Sequence, residues 1–166
     1  MKKQRESDIR ERAWAKFLVA HARLVEHIEA ALAAAGLPPL GWYDVLWPLE
    51  QAEGGRMRMY ELAEQMVLPR SNLTRLADRL EAAQLIQREP CPDDRRGAYC
   101  VITPKGRAIR AQMWPVYHAA IDQIFSAHLS EAEADGMYGA LTRMVRATQT
   151  SPASATEVKK RKKSPA

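Results

Sequence analysis

Apolar residues recur at intervals of three and four along most of this chain, and the places where that rhythm breaks divide it into elements. From Asp8 to about Ala35, the residues Trp14, Phe17, Leu18, His21, Leu24, Val25, Ile28 and Leu32 share one face, which predicts a long amphipathic helix. Gly36, Pro38 and Pro39 end it, because glycine is favoured just past a helix and proline cannot continue one. Gly41 to about Glu53 is apolar on nearly every side through Trp42, Tyr43, Val45, Leu46, Trp47 and Leu49, and predicts a second helix buried in the middle of the fold. Pro48 within it predicts a kink or a break into two short helices.

Gly54-Gly55 reads as a turn, Arg56-Met57-Arg58 as a candidate short strand, and Tyr60 to Met66 as a short helix with Leu62 and Ala63 inward. Val67-Leu68-Pro69 interrupts it, and Pro69 suits the first position of another helix, where its missing donor would be unpaired anyway. In that helix, Pro69 to Ala83, the stripe Leu73, Leu76, Ala77 and Leu80 faces inward. The opposite face carries Arg70, Ser71, Asn72, Thr74, Arg75, Asp78 and Arg79. Leu85 to Glu89 and Ala98 to Ile102 are strand-like and flank the polar, turn-rich segment Pro90 to Gly97, a β-hairpin with a charged tip. Thr103 as a cap and Pro104 at the first helical position predict a helix to about His128, bent at Pro115. Ser130 and Glu133 have capping-box spacing and open a last helix with Met137, Tyr138, Leu141, Met144 and Val145 on one side. Residues 150–166 lack apolar periodicity and are expected to form a disordered basic tail.

With 166 residues, 46% of them hydrophobic and 27% charged, the composition is that of one globular domain with an extension, which excludes wholesale disorder and disfavours a multidomain enzyme. No apolar run approaches the roughly 18 residues needed to span a bilayer, and the start, Met1 to Asp8, stays polar where a secretory signal would turn apolar. A cytoplasmic protein without membrane contact is expected. The net charge of +5 is unevenly spread: residues 150–166 carry +4, residues 54–107 carry +3, and the remainder is slightly negative. That asymmetry favours a polyanionic partner met by the middle segment.

Two short helices joined by a three-residue break, the second bearing Arg, Ser, Asn and Thr outward, then a basic-tipped hairpin, is the order of parts in a winged helix-turn-helix. Outward Arg can place two donors on a guanine edge and Asn can pair with adenine, while Arg95 and Arg96 at a hairpin tip can enter a flanking minor groove. A polar helix face standing alone is as often a solvated surface, but the hairpin and preceding helix weigh against that. Arg70, Ser71, Asn72, Thr74, Arg75, Arg79, Asp94, Arg95 and Arg96 are therefore the candidate DNA contacts.

Tyr60-Glu61-Leu62-Ala63, the run Ser71 to Glu81, Gln84-Leu85-Ile86, Asp94-Arg95-Arg96-Gly97 and Ile102-Thr103-Pro104-Lys105-Gly106 resemble the MarR family of bacterial transcription regulators, over about Leu40 to Arg107. The resemblance implies a mainly α fold with a small β-wing. The winged helix-turn-helix, residues 54–103, would be flanked by a helical dimerisation region, residues 1–53 and 104–149. It also implies a homodimer on double-stranded DNA, each wing domain on half of a palindromic operator, with repression relieved by a small anionic or phenolic ligand or by oxidation. The spacing of Asp94 and Arg96 resembles the family's Asp-x-Arg signature, in which the carboxylate orients the guanidinium. A Ser or Thr often precedes Glu61 in the family, whereas Met59-Tyr60 stand here, so that helix is expected to lack its side-chain cap.

Trp14 and the block Trp42-Tyr43-Asp44-Val45-Leu46 resemble the urate-responsive branch of the family, where Trp, Asp and arginines surround a purine. A buried Asp44 would require a cation nearby, with Arg58, Arg70 and Arg75 as candidates, and the ligand would be an anionic aromatic effector such as urate. The plainer alternative puts Trp14 in a dimer core and Asp44 in a structural ion pair. Cys91 and Cys100 are equidistant from the hairpin centre between Arg95 and Arg96, so a cross-strand disulfide acting as an oxidant switch is a further alternative, with two free thiols the default in a reducing cytoplasm. His21, His27, His118 and His128 show no metal-ligand spacing, and no phosphate loop, GxSxG or paired carboxylates with a plausible pocket stand out. A small helical enzyme without a resident cofactor is the remaining class, and it has no residues in its favour.

Overall fold

The computed structural model describes residues 8–66, 70–91 and 94–149, and omits the side chains of residues 70, 71, 94–96 and 149. The proposed tail, Pro69 and the tip residues Pro92 and Asp93 lie outside this description. The chain divides into two compact units, one through Phe125 and one from Ser126.

The first unit contains α1 (Ile9–Ala34), α2 (Leu40–Gln51), a short 3₁₀ turn (Glu53–Gly55), β1 (Arg56–Arg58), α3 (Met59–Gln65), α4 (Arg70–Ala82), β2 (Ile86–Cys91), β3 (Asp94–Ile102) and α5 (Pro104–Ile124). Asp8 caps α1 by accepting from the Arg10 N–H at 3.1 Å. At its other end Gly36, with φ +67°, allows the Gly36 N–H to reach the Ala33 carbonyl and the Leu37 N–H to reach that of Leu32. This double closure satisfies carbonyls that the helix end would leave open. α2 begins without a side-chain cap of its own. Glu29 of α1 supplies one instead, both carboxylate oxygens accepting from the Leu40 N–H at 3.1 and 3.2 Å.

Two cores meet on α2. Val45, Leu46 and Leu49 pack with Leu62 of α3, the α4 stripe Leu73, Leu76, Ala77 and Leu80, and Leu85, Ile86, Cys100 and Ile102. Leu40 and Tyr43, on its other side, pack with Ile28 and Leu32 of α1 and Met113 and Ala120 of α5. The expectation of a central, all-round apolar helix therefore holds. The break into two short helices at Pro48 is not found: α2 continues to Gln51, and α5 likewise runs through Pro115. Each proline removes one backbone hydrogen bond, and packing on both sides of α2 outweighs that loss.

The sheet is antiparallel in the order β1-β3-β2. Both hairpin strands extend into the segment expected as a loop, with β3 starting at Asp94. The register pairs Ile86 with Ile102, Arg88 with Cys100 and Cys91 with Asp94, with an irregularity between Pro90 and Cys91. The alternative in which the two cysteines face one another is thus not found, and the default of two free thiols is. The ladder turns three residues nearer Cys91 than the midpoint between Arg95 and Arg96, and both thiols are buried. Burial pushes Cys100 up to about 12, so its thiol stays protonated and a poor nucleophile.

α4 ends on an unusual residue. Gln84, with φ +62°, takes the left-handed position in which its N–H reaches the Glu81 carbonyl and the Leu85 N–H that of Leu80. The start of α5 closes over this end: the Thr103 hydroxyl donates to the Gln84 carbonyl at 2.8 Å and Lys105 Nζ to that of Ala83 at 2.9 Å. The Thr103 hydroxyl also accepts from the Gly106 N–H at 3.0 Å, the expected cap of α5. α5 ends at Ile124, short of the expected His128.

The second unit holds a 3₁₀ turn (Ser126–His128) and α6 (Glu131–Gln149). The capping box forms as expected: Glu133 accepts from the Ser130 N–H at 2.9 Å, and the Glu133 N–H donates to the Ser130 hydroxyl at 3.4 Å.

Two glycine substitutions at this α4–α5 junction should act in opposite directions. A Cβ on Gly106 would strike the Leu85 carbonyl oxygen, so Gly106→Ala is expected to destabilise the chain by about 2 kcal/mol or more. Gln84→Gly relieves a left-handed side-chain residue and is expected to stabilise it by about 1 kcal/mol. Urea unfolding of both variants beside the parent measures both signs.

Candidate nucleic-acid interface

α4 is amphipathic in a way that settles its orientation. Leu73, Leu76, Ala77 and Leu80 are at most 4% exposed. Burying each leucine is worth about 1.5–3 kcal/mol, so the helix cannot roll without losing its main stabilisation. The residues between them, Asn72, Thr74, Arg75, Asp78 and Arg79, are consequently exposed. Arg70 and Ser71 occupy the first turn, but their side chains lie outside the description.

One of the outward residues is already engaged. Arg88 of β2 donates to Asp78 Oδ1 at 2.6 Å and to the Thr74 carbonyl at 3.4 Å, and its second terminal nitrogen lies 3.4 Å from Glu81 Oε2. Its backbone N–H also donates to Glu81 Oε1 at 3.1 Å. With Asp78 and Arg88 only partly buried, this cluster adds little stability. Its effect is geometric and electrostatic, since it ties the wing strand to α4 and neutralises two carboxylates beside the exposed cations Arg75 and Arg79. The sequence reading missed Arg88; the signal was the acid pair Asp78 and Glu81, spaced i,i+3 on the flank of a helix otherwise lined with cations.

α3 precedes α4 in the helix-turn-helix. Its start lacks a Ser or Thr cap, as expected, but Glu61 reaches back to accept from the Arg58 N–H at 2.9 Å, the half of a capping box that the sequence does supply. On the outer face of the sheet, Arg56 and Arg58 lie 5.0 and 5.6 Å from the centre of the Tyr99 ring. The wing residues Asp94, Arg95 and Arg96 belong to β3, with side chains outside the description, so the Asp-x-Arg geometry is not described.

A second feature lies in the same unit. α1, α2 and α5 enclose a groove of about 830 Å³, reached also by Gln65 and Met66 at the end of α3. Tyr43 stacks on Trp47 and Trp114 at 6.2 and 6.1 Å, and Tyr117 meets both Tyr43 and Trp114 edge-on. Asp44 lines this groove, and burial together with the Glu29 carboxylate pushes it up to about 6. Burial also raises Tyr43 and Tyr117 above the usual phenol value.

Among the described side chains no arginine pairs with Asp44, contrary to expectation. The α5 cations go to Glu50 instead, Arg110 at 2.5 Å and Arg107 at 3.7 Å. Asp44 keeps enough contact with solvent to do without a counterion, at the cost of a raised pKa. The side chain of Arg70 lies outside the description, and the other three expected ligand residues do not gather around Asp44. Trp14 stacks on Phe17 near the start of α1, Arg58 lies against Tyr99, and Arg75 faces outward from α4.

The family model for MarR matches residues 41–97 of this chain. A putative transcriptional regulatory protein for the hcr operon of Thauera aromatica is 34% identical over 123 residues, 74% of this chain and 71% of that protein. The transcriptional repressor MprA of Escherichia coli K12 is 32% identical over 69% of this chain and 64% of its own length, so the chain spans slightly less than two thirds of that relative. Among solved structures, Sco3205 of Streptomyces coelicolor, a MarR family transcriptional regulator in complex with DNA, superposes with a TM-score of 0.78 at 27% identity, covering 93% of this chain and 96% of that one. A winged helix-turn-helix whose sequence keeps this much in common with regulators over most of their length belongs to the MarR family of transcription regulators.

Proposed function

We propose that this protein is a homodimeric, effector-responsive repressor that reads a palindromic operator through α4. The observation that carries the reading is the composition of the exposed α4 face: Asn72, Thr74, Arg75 and Arg79 point away from the core while Arg88 withdraws Asp78 from the same surface. Asn and Arg supply the paired donors and acceptors that discriminate bases in a major groove. Arg70 and Ser71 in the first turn, and Asp94, Arg95 and Arg96 in the wing, complete the proposed contact set. The basic run Lys159 to Lys163 adds sequence-independent attraction to phosphates. The complex of Sco3205 with DNA supports this use of the fold.

Dimerisation is proposed because α1 and α6, each within its own unit, carry large apolar side chains that are exposed among the described residues. Trp14 is 61% exposed, and Leu18 and Val19 beside it are about half exposed; on α6 the corresponding residues are Tyr138, Met144 and Val145. Patches of this kind on a small protein mark association surfaces. The effector is placed in the α1–α2–α5 groove, since Gln65 and Met66 make one of its walls out of the helix-turn-helix itself. A ligand that prefers one arrangement of that wall would shift DNA affinity by its differential binding. Urate in this groove would meet Asp44 rather than a described arginine, which removes the chemical motive for an anion there.

The reading is tested by selecting bound fragments from source DNA and titrating them in a mobility-shift assay. Arg75→Ala is expected to cost about 1–3 kcal/mol of operator affinity and to relax preference at one position per half-site. Full operator affinity in that variant would remove α4 as the reading element. Sedimentation at micromolar concentration is expected to give a dimer, and Trp14→Glu a chain shifted toward monomer; a parent that sediments as a monomer contradicts the proposed assembly.

A further inference from the structure

Resting on the reading of the α1–α2–α5 groove as the effector site, we infer that its ligand is an aromatic cation, a planar ring bearing an amine, held by ring stacking and by the Asp44 carboxylate. Four aromatic side chains, Tyr43, Trp47, Trp114 and Tyr117, form a connected array along the groove. Their faces are electron-rich and attract positive charge. Trp47 already holds a cation this way, with the Arg110 guanidinium 5.3 Å from its ring centre. The charged groups that line the groove are acidic, Glu29 and Asp44; Arg110, which lies against the lining residues Trp47 and Tyr43, is paired with Glu50.

These two carboxylates differ in availability. Glu29 is committed to the Leu40 N–H at the start of α2. Asp44 makes no hydrogen bond or ion pair to any described residue, although its partly desolvated site penalises the charge. An ionised carboxylate in a partly desolvated site, with no partner for its oxygens among the described residues, is placed for an external one. An incoming ammonium would supply the counterion that no described arginine of the chain provides, and would keep Asp44 ionised. An incoming carboxylate or urate anion would meet two like charges instead.

The dependence on pH follows from the same groups. The ionisable groups facing Asp44 are Glu29 and His21 of α1, Tyr43 of its own helix and Tyr117 of α5. Because the Asp44 value is raised to about 6, its charge is present above that pH and lost below it, so the Asp44-dependent part of cation binding disappears as pH falls from 7.5 to 5. Subtracting the profile of Asp44→Asn separates this part from any contribution of His21.

Two probes with one ring system and opposite charge make the test: 2-naphthylmethylamine and 2-naphthoate, titrated calorimetrically into the full chain. The amine is expected to bind at least about tenfold more tightly than the acid, and Asp44→Asn to lose about tenfold for the amine alone, with Asp44→Glu restoring most of it. Asp44→Asn should melt no lower than the parent, because it removes an unfavourable charge, so lost binding cannot be put down to lost folding. Acid binding as tight as amine binding, equal amine affinity in Asp44→Asn, or no binding of either probe overturns the inference. Addition of the amine to the operator complex tests the underlying reading separately. Asp44-dependent amine binding that leaves DNA affinity unchanged upholds the cation site and refutes its role as the effector site.

Discussion

The burial of a single stripe on α4 is the constraint from which the functional surface follows. Leu73, Leu76, Ala77 and Leu80 insert among residues of α2, α3 and the sheet, and no rotation of the helix keeps them dry while changing which residues face out. Their contribution, several times about 1.5 kcal/mol, exceeds anything the polar face could gain by turning inward. The flank and the C-terminal end of the helix are then fixed by groups outside it. Arg88 holds the flank from the wing strand, and Thr103 and Lys105 cover the terminal carbonyls from the start of α5. A helix held at its flank and its end presents a fixed row of side chains, as recognition of a stacked base sequence requires.

α2 does for the two cores what α4 does for the surface. One side of it completes the winged region and the other packs on α1 and α5. A displacement of α2 therefore cannot be confined to either core. The groove lies along this helix, with Asp44, Tyr43 and Trp47 on one wall and the end of α3 on another. The groove and the helix-turn-helix thus share packed contacts, which is the physical condition under which the proposed effector could alter DNA affinity.

What could be read from the sequence was what is decided locally. The α4 stripe, the Thr103 cap, the Ser130–Glu133 capping box and the stop at Gly36 each depend on residues within one or two turns, and each is found in the fold. The errors arise where distant segments decide. The register that separates Cys91 from Cys100 depends on where the ladder becomes irregular, near Pro90, and no count about a presumed centre reveals it. For Asp44 the sequence states the cost of burying a carboxylate but not where the cations go: among the described side chains, α5 delivers Arg107 and Arg110 further along α2, to Glu50. For Arg88 the acid pair Asp78 and Glu81 marks the need for a cation but not its source, because those partners lie ten and seven residues upstream, on another element.

The account stands most directly on the clamp between wing and recognition helix, and the ratio of affinities for selected operator and random DNA measures it. Arg88→Met keeps the aliphatic stem but releases Asp78 and Glu81, leaving α4 free to shift and its surface more acidic. With helical content retained by circular dichroism, the operator-to-random ratio should fall by about tenfold or more, the scale of one misplaced bidentate contact. An unchanged ratio in a folded Arg88→Met protein would mean that neither the wing strand nor the fixed orientation of α4 governs how this chain reads DNA.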